Sequence, residues 1–197
     1  MSNRADLPKI TLASASPRRA ELLASAGVPF DVVVTDVEEA HDPSLKPEEL
    51  TVENARRKAL EGSRKRPGSL ALGADTLVYL DGDPLAKPSD MDEALGMLRR
   101  LSGRTHEVCT GVVLARDGEV VDAFHEVTHV TFKPLTDALV REYHTRVNPL
   151  DKAGGYGIQS HTDMLLERME GSFSNVVGLP VERVIQALEE RELGRAS

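Results

Sequence analysis

Strands and helices both read along this sequence, a mixed α and β content. Three observations lead there. In the first half, short apolar runs alternate with stretches whose apolar residues recur at helical spacing. Asp81-Gly82, flanked by strand-like residues, reads as a tight hairpin turn at the centre of the chain. A long antiparallel pair folds back at Asp117-Gly118 after it.

Composition bounds the rest. A chain of 197 residues with 40% apolar content can bury a sizeable core as one large domain or two fused lobes, and no repeat or linker divides it, so a single domain over 1–197 is expected. Acids outnumber bases by 32 to 24, and the net charge of −8 disfavours indiscriminate binding to nucleic acid or to an anionic membrane. A phosphate ligand would need a local basic site. The single cysteine, Cys109, excludes an intramolecular disulfide and points to a reducing compartment, while no stretch resembles a signal peptide or a membrane span. The expected compartment is the cytoplasm.

Ile10 to Ala13 reads as a short buried strand running into Ser14-Ala-Ser-Pro-Arg-Arg, where Ser16 suits an N-cap and Pro17 the first helical position. Arg18 and Arg19 then fall in the first turn, where the helix dipole is already positive. An anion in front of them would explain the placement, which makes this a phosphate-site signal; two solvated surface arginines are the alternative. After Gly27, Asp31 to Thr35 reads as a strand ending in an acidic loop with Asp36, Glu38 and Glu39. Glu39 is a candidate metal ligand, or one of three solvated acids. A helix is expected over about Pro47 to Ser63, with Leu50, Ala55 and Ala59 as its inner stripe. Lys58 lies beside that stripe and either emerges from the inner face or snorkels to solvent.

The central stretch, Leu72 to Asp90, places Asp75 after Gly73-Ala74, pinned between two strand-like runs, and the hairpin returns Lys87 towards the same end. Small residues before Asp75 allow a backbone or a ligand to approach closely, and a rigid short acid suits metal binding or water activation. A strand-end Asp paired to a nearby Lys is the plainer reading. Next come a helix with a capping-box-like start at Ser89 and Asp92, the strand from Val108, its partner from Gly118 to Phe132, and a helix capped by Thr136. His125 and His129 are too far apart on a strand, roughly 13 Å, to share one metal.

Asp151 to Gln159 is too rich in glycine for a regular element. It lacks the third glycine of a dinucleotide fingerprint, and no G-x-x-x-x-G-K-[ST] loop occurs anywhere, so dehydrogenase and ATPase readings lose support. Glycines let the backbone approach a flat ligand, and the Gln159 amide offers a donor and an acceptor to a base edge; an ordinary surface loop is the alternative. Met164 to Met169 reads as a strand, Gly171 to Gly178 as a second irregular loop, and Pro180 opens the last helix, through about Glu192.

Taken together, Ser14-Ala-Ser-Pro-Arg-Arg, Glu39, Ala55-Arg-Arg-Lys-Ala59, Gly73-Ala-Asp-Thr, Lys87-Pro, Leu101-Ser-Gly, Asp151-Lys-Ala-Gly-Gly-Tyr-Gly-Ile-Gln and Gly178-Leu-Pro resemble the Maf family of nucleoside triphosphate pyrophosphatases, over about Ile10 to Leu188. The resemblance implies an elongated mixed α/β sheet flanked by helices, with two lobes around a deep cleft, similar to inosine triphosphate pyrophosphatases, and often a homodimer. It implies that Asp75 is the proton acceptor that activates water. Ser14, Arg19, Lys58 and Lys87 would surround the triphosphate of a nucleotide substrate, and Glu39 would help hold a divalent cation, Mg²⁺ or Mn²⁺. That chemistry suits the residues, because cleavage between the α- and β-phosphates develops negative charge on pyrophosphate.

Arg18, Thr76 and Gln159 match the positions that set the nucleobase in the dTTP/UTP subgroup; the 7-methyl-GTP subgroup tends to carry Trp, Gln and Glu there. An amide complements the N3–H donor and carbonyl acceptor of thymine or uracil, whereas the two donors of a guanine edge suit a carboxylate. Gly155 departs from the family's more usual Ala. A 7-methyl-GTP-type or broad pyrophosphatase, and a non-catalytic regulator of septum formation or cell division, are the competing readings.

Overall fold

The computed structural model describes residues 7–42 and 44–193. In chain order its elements are β1 (Ile10–Leu12), α1 (Pro17–Ser25), β2 (Phe30–Val32), α2 (Pro47–Lys65), β3 (Leu70–Leu80), β4 (Asp83–Leu85), α3 (Met91–Leu101), β5 (Thr105–Arg116), β6 (Glu119–Phe132), α4 (Asp137–Arg146), α5 (Thr162–Leu165), β7 (Leu166–Glu170), α6 (Phe173–Val177) and α7 (Val181–Leu193). The strands hydrogen-bond in the order β2-β1-β3-β5-β6-β7, with β4 added to β3. β1 is parallel to both its neighbours, while β4 and β7 run antiparallel to theirs. The sheet is therefore mixed, and the protein is of the α/β class its sequence predicts.

The chain forms two compact units. The first comprises the chain up to Asp75, Thr110–Glu126 and the segment from Gly178. Here the two-residue period of β3 separates two faces. Leu70, Leu72 and Ala74 join Leu12, Leu23, Leu114 and Leu188 in one core. Each leucine removed from water there contributes on the order of 1.5–3 kcal/mol. Ala71 and Gly73 turn the other way, towards α2. A Cβ on Gly73 would lie 2.2 Å from the Ala55 carbonyl oxygen and 2.5 Å from the Ala59 nitrogen, and one on Gly111 would lie 2.4 Å from the Thr51 carbonyl carbon. The helix backbone thus rests directly on the sheet. The small side chains of Ala55, Ala59 and Ala115 complete that contact.

The second unit comprises Thr76–Cys109 and Val127–Val177. At its hairpin, Asp81 (φ 55°) and Gly82 (φ 84°) both take the left-handed conformation that a two-residue turn requires, and Leu80 pairs with Asp83. Four local expectations are corrected. β3 is one uninterrupted strand, so Asp75 lies mid-strand rather than between two strands. Asp90 caps α3, accepting from the Glu93 N–H at 2.8 Å, while Ser89 turns to the Glu93 carboxylate. The expected strand at Met164 begins only at Leu166. His161 (φ 53°) starts a turn closed by Met164 N–H on its carbonyl at 3.0 Å, which makes Thr162–Leu165 helical. The second expected loop contains α6, because the Ser172 hydroxyl accepts from Asn175 N–H and the buried Asn175 amide donates to Thr128 Oγ1 and the Val108 carbonyl.

Candidate active site

Asp75 shares a face with Gly73 and Ala71, two and four residues back along β3, and therefore faces α2. Asn54 and Lys58, four apart and so on one side of that helix, meet it. Lys58 Nζ lies 2.8 Å from Asp75 Oδ1 and 2.7 Å from Glu39 Oε1, bridging two carboxylates. Asp75 is 7% exposed, and the lysine's aliphatic stem is covered as well. The ammonium is thus directed inward, not to solvent. Asn54 Nδ2 donates to the other oxygen of Asp75 at 3.2 Å. Both oxygens of that carboxylate are held.

The β1–α1 junction contributes the next group. Ser16 occupies the N-cap position of α1, but its side chain makes no cap bond. The Ser14 hydroxyl instead accepts from Ser16 N–H at 3.1 Å and from Arg19 Nη1 at 3.2 Å. Arg19 Nε donates to the Gly178 carbonyl at 2.8 Å. Loss of hydration draws the Arg19 pKa below its usual value; the negative charge of Asp75 opposes this, Arg18 adds to it, and Glu39 opposes it again. The first turn of α1 has no acidic residue, so the favourable field at Arg19 comes from other elements. Arg18 beside it is half-buried.

The structure thus gathers Ser14, Arg19, Glu39, Lys58 and Asp75 within the first unit. Thr76, Lys87 and Gln159 belong to the second. Thr76 is half-buried in β3, Lys87 is exposed beyond β4, whose ladder ends at the Val78–Leu85 pair, and Gln159 is exposed at the end of the glycine-rich loop. That loop holds Gly154 and Gly155 at φ 73° and is anchored from α4: the Tyr143 hydroxyl donates to the Gly157 carbonyl and accepts from its N–H, both at 3.0 Å. Tyr156 meets the buried His106, with the hydroxyl 2.7 Å from Nε2. Burial holds the His106 imidazole neutral, its pKa lowered to about 4, and raises that of Tyr156.

Asn54, Tyr143 and His106 were not legible as site or support residues. The available signal for Asn54 was a polar side chain four residues before Lys58 and adjacent to Ala55 of the inner stripe.

Two carboxylate oxygens converging on one ammonium form a hard donor pair. Mg²⁺ is commonly held by one or two carboxylates with water or phosphate oxygens completing its shell, so Glu39 and Asp75 fit a divalent cation. Among the described residues no group of three or more His, Cys, Asp or Glu is arranged to hold a metal on its own.

An α/β protein with a buried carboxylate fixed mid-strand, a second acid sharing its lysine, and an arginine–serine pair at a helix start is built to manage concentrated charge. The particular family follows from comparison: the Maf-like protein profile matches residues 9–191, and the chain belongs to the Maf family. It is 46% identical to a dTTP/UTP pyrophosphatase of Akkermansia muciniphila, over 92% of this chain and 96% of that protein. It is 47% identical to one of Geotalea uraniireducens, over 91% and 93%. Among solved structures it is similar to a HAM1 protein from Coxiella burnetii, with a TM-score of 0.47 and 20% identity, covering 63% of this chain and 72% of that one.

Proposed function

We propose that this protein hydrolyses nucleoside triphosphates between the α- and β-phosphates, releasing a monophosphate and pyrophosphate, with dTTP and UTP as its preferred substrates. The observation that carries the reading is the Asp75–Lys58–Glu39 bridge in a chain 42–47% identical to proteins named dTTP/UTP pyrophosphatase. Asp75 takes the proton of the attacking water. Lys58, shared between the two acids, turns towards the phosphates, which frees a lone pair on Asp75 Oδ1. Arg19 and Ser14, with Lys87, bind phosphate oxygens, and Arg18, Thr76 and Gln159 select the base. Glu39 and Asp75 would hold a divalent cation, Mg²⁺ or Mn²⁺, which would supply charge neutralisation on the leaving pyrophosphate.

Pyrophosphate release from dTTP, UTP, CTP and GTP by the purified protein at fixed Mg²⁺ tests the reaction. Release of inorganic phosphate alone, or no release, would overturn it. Gln159→Glu tests the base assignment: a carboxylate accepts but cannot donate to the O4 carbonyl of a pyrimidine. An unpaired group of that kind costs about 1–3 kcal/mol, roughly one to two decades in kcat/KM. The expected result is a lower ratio of dTTP and UTP turnover to GTP turnover. A uniform fall on all four nucleotides would leave Gln159 as a support of its loop.

A further inference from the structure

We propose that Asn54 is a positioning residue that ties the loop bearing Glu39 to the carboxylate of Asp75, so that the two acids act as one unit; the proposal rests on the pyrophosphatase reading above. Asn54 is 3% exposed and lies well inside α2, a location for which asparagine has a poor intrinsic preference. Its reason for being there is tertiary. Oδ1 accepts from the Ala40 N–H at 2.7 Å, directly after Glu39 in the chain, and Nδ2 lies 3.4 Å from the Ala40 carbonyl. The same nitrogen donates to Asp75 Oδ2 at 3.2 Å. One planar amide therefore spans the loop and the strand.

The consequence for Asp75 is orientational. Lys58 holds Oδ1, but its flexible stem also serves Glu39 and cannot by itself fix the carboxylate plane. The Asn54 N–H on the second oxygen removes that rotation. When Lys58 turns to a phosphate, Asn54 is the contact left to keep Asp75 aimed. An asparagine serving only to anchor the loop would use its acceptor for Ala40 N–H and one donor for the Ala40 carbonyl; the donation to Asp75 is what a positioning role adds.

Asn54→Asp keeps an acceptor for Ala40 N–H and the side-chain shape while removing the Nδ2 contacts to Asp75 Oδ2 and to the Ala40 carbonyl and setting a like charge against Asp75. The expected result on dTTP is a fall in kcat of about one to two decades with the nucleotide KM within about threefold. Asn54→Leu, which removes both contacts, should fall at least as far. Combining Asn54→Leu with Asp75→Asn should add no further loss, because both act on one group. A kcat for Asn54→Asp within twofold of wild type, or a loss confined to KM, would overturn the proposal. An arm independent of turnover is the Asn54 side-chain NH₂ signal in ¹⁵N-labelled protein, expected to move in Asp75→Ala and to stay in Arg56→Ala. An unmoved signal in Asp75→Ala overturns the proposal. If the wild type releases no pyrophosphate, the functional reading fails and this signal alone decides the role of Asn54.

Discussion

Asp75 and Lys58 face each other across β3 and α2 among charged and amide partners, Glu39 on the lysine and Asn54 on the carboxylate. Asp75→Asn keeps the shape and an acceptor for Asn54, yet it cannot take a proton from water. Its dTTP turnover should fall by about two to four decades, the usual contribution of a positioned general base, with little change in thermal midpoint. Near-wild-type turnover at saturating Mg²⁺ would remove Asp75 from the chemistry. On the proposed mechanism, Lys58→Ala should cost roughly two decades in kcat, since it would delete a cation facing developing charge, and should lower the Mg²⁺ concentration needed for half-maximal rate, since Glu39 and Asp75 would be left free for a metal. The proper control is Arg56→Ala, whose guanidinium pairs with Glu53 at 2.8 Å in a solvent-facing i,i+3 pair. Arg57 is a poorer control, because it donates to the Glu38 carbonyl at 3.0 Å and so touches the loop that carries Glu39.

At the scale of elements, the hairpins and most helices were legible because their signals are local. Asp81-Gly82 and Asp117-Gly118 adopt the paired positive φ values their residue types allow, and Thr136 caps α4 by accepting from Leu139 N–H. The misread segments combine local signals, Asp90 accepting from Glu93 N–H and Ser172 from Asn175 N–H, with distant ones that no local pattern announces, the Asn175 amide reaching Val108 and Thr128. The same distinction holds in the site: glycine before Asp75 was readable as room for a close approach, but which backbone approaches was not. The answer is α2, and it makes a prediction. Gly73→Ala pushes a methyl into the Ala55 carbonyl and the Ala59 nitrogen, backbone atoms that cannot swing aside. Displacing the helix should cost about 1–3 kcal/mol and lower the melting temperature by several degrees. Because α2 carries Asn54 and Lys58, kcat should fall as well. By contrast Gly96, whose Cβ would meet nothing within 4 Å, should accept Ala without loss of stability or turnover. Equal melting temperatures for the two variants would contradict the close packing of α2 on β3.

For the whole molecule, acid sets two effects against each other. The net charge of −8 at neutral pH shrinks as the sequence pI of about 5.3 is approached, which relieves self-repulsion and favours the folded chain slightly. His106 acts in the opposite direction. It is buried against Phe132 and Tyr156, and its pKa falls from 6.5 to about 4 because the charged form loses its hydration. In the unfolded chain the imidazole takes a proton near pH 6.5, while in the folded chain it stays neutral down to about 4. Stability from this group is therefore complete above about pH 6.5 and declines as the pH drops towards 4, by up to about 3 kcal/mol. The carboxylates lowered by hydrogen bonds, Asp31 by Lys9 and Asp137 by Arg99, lose their contributions only at lower pH still. Urea unfolding midpoints at pH 7.5, 6.5, 5.5 and 4.5 should accordingly fall through the middle of that range. His106→Gln, which retains a partner for the Tyr156 hydroxyl without a titrating ring, should start less stable at pH 7.5 and flatten the dependence. An unchanged slope in the variant would assign the acid sensitivity to another group.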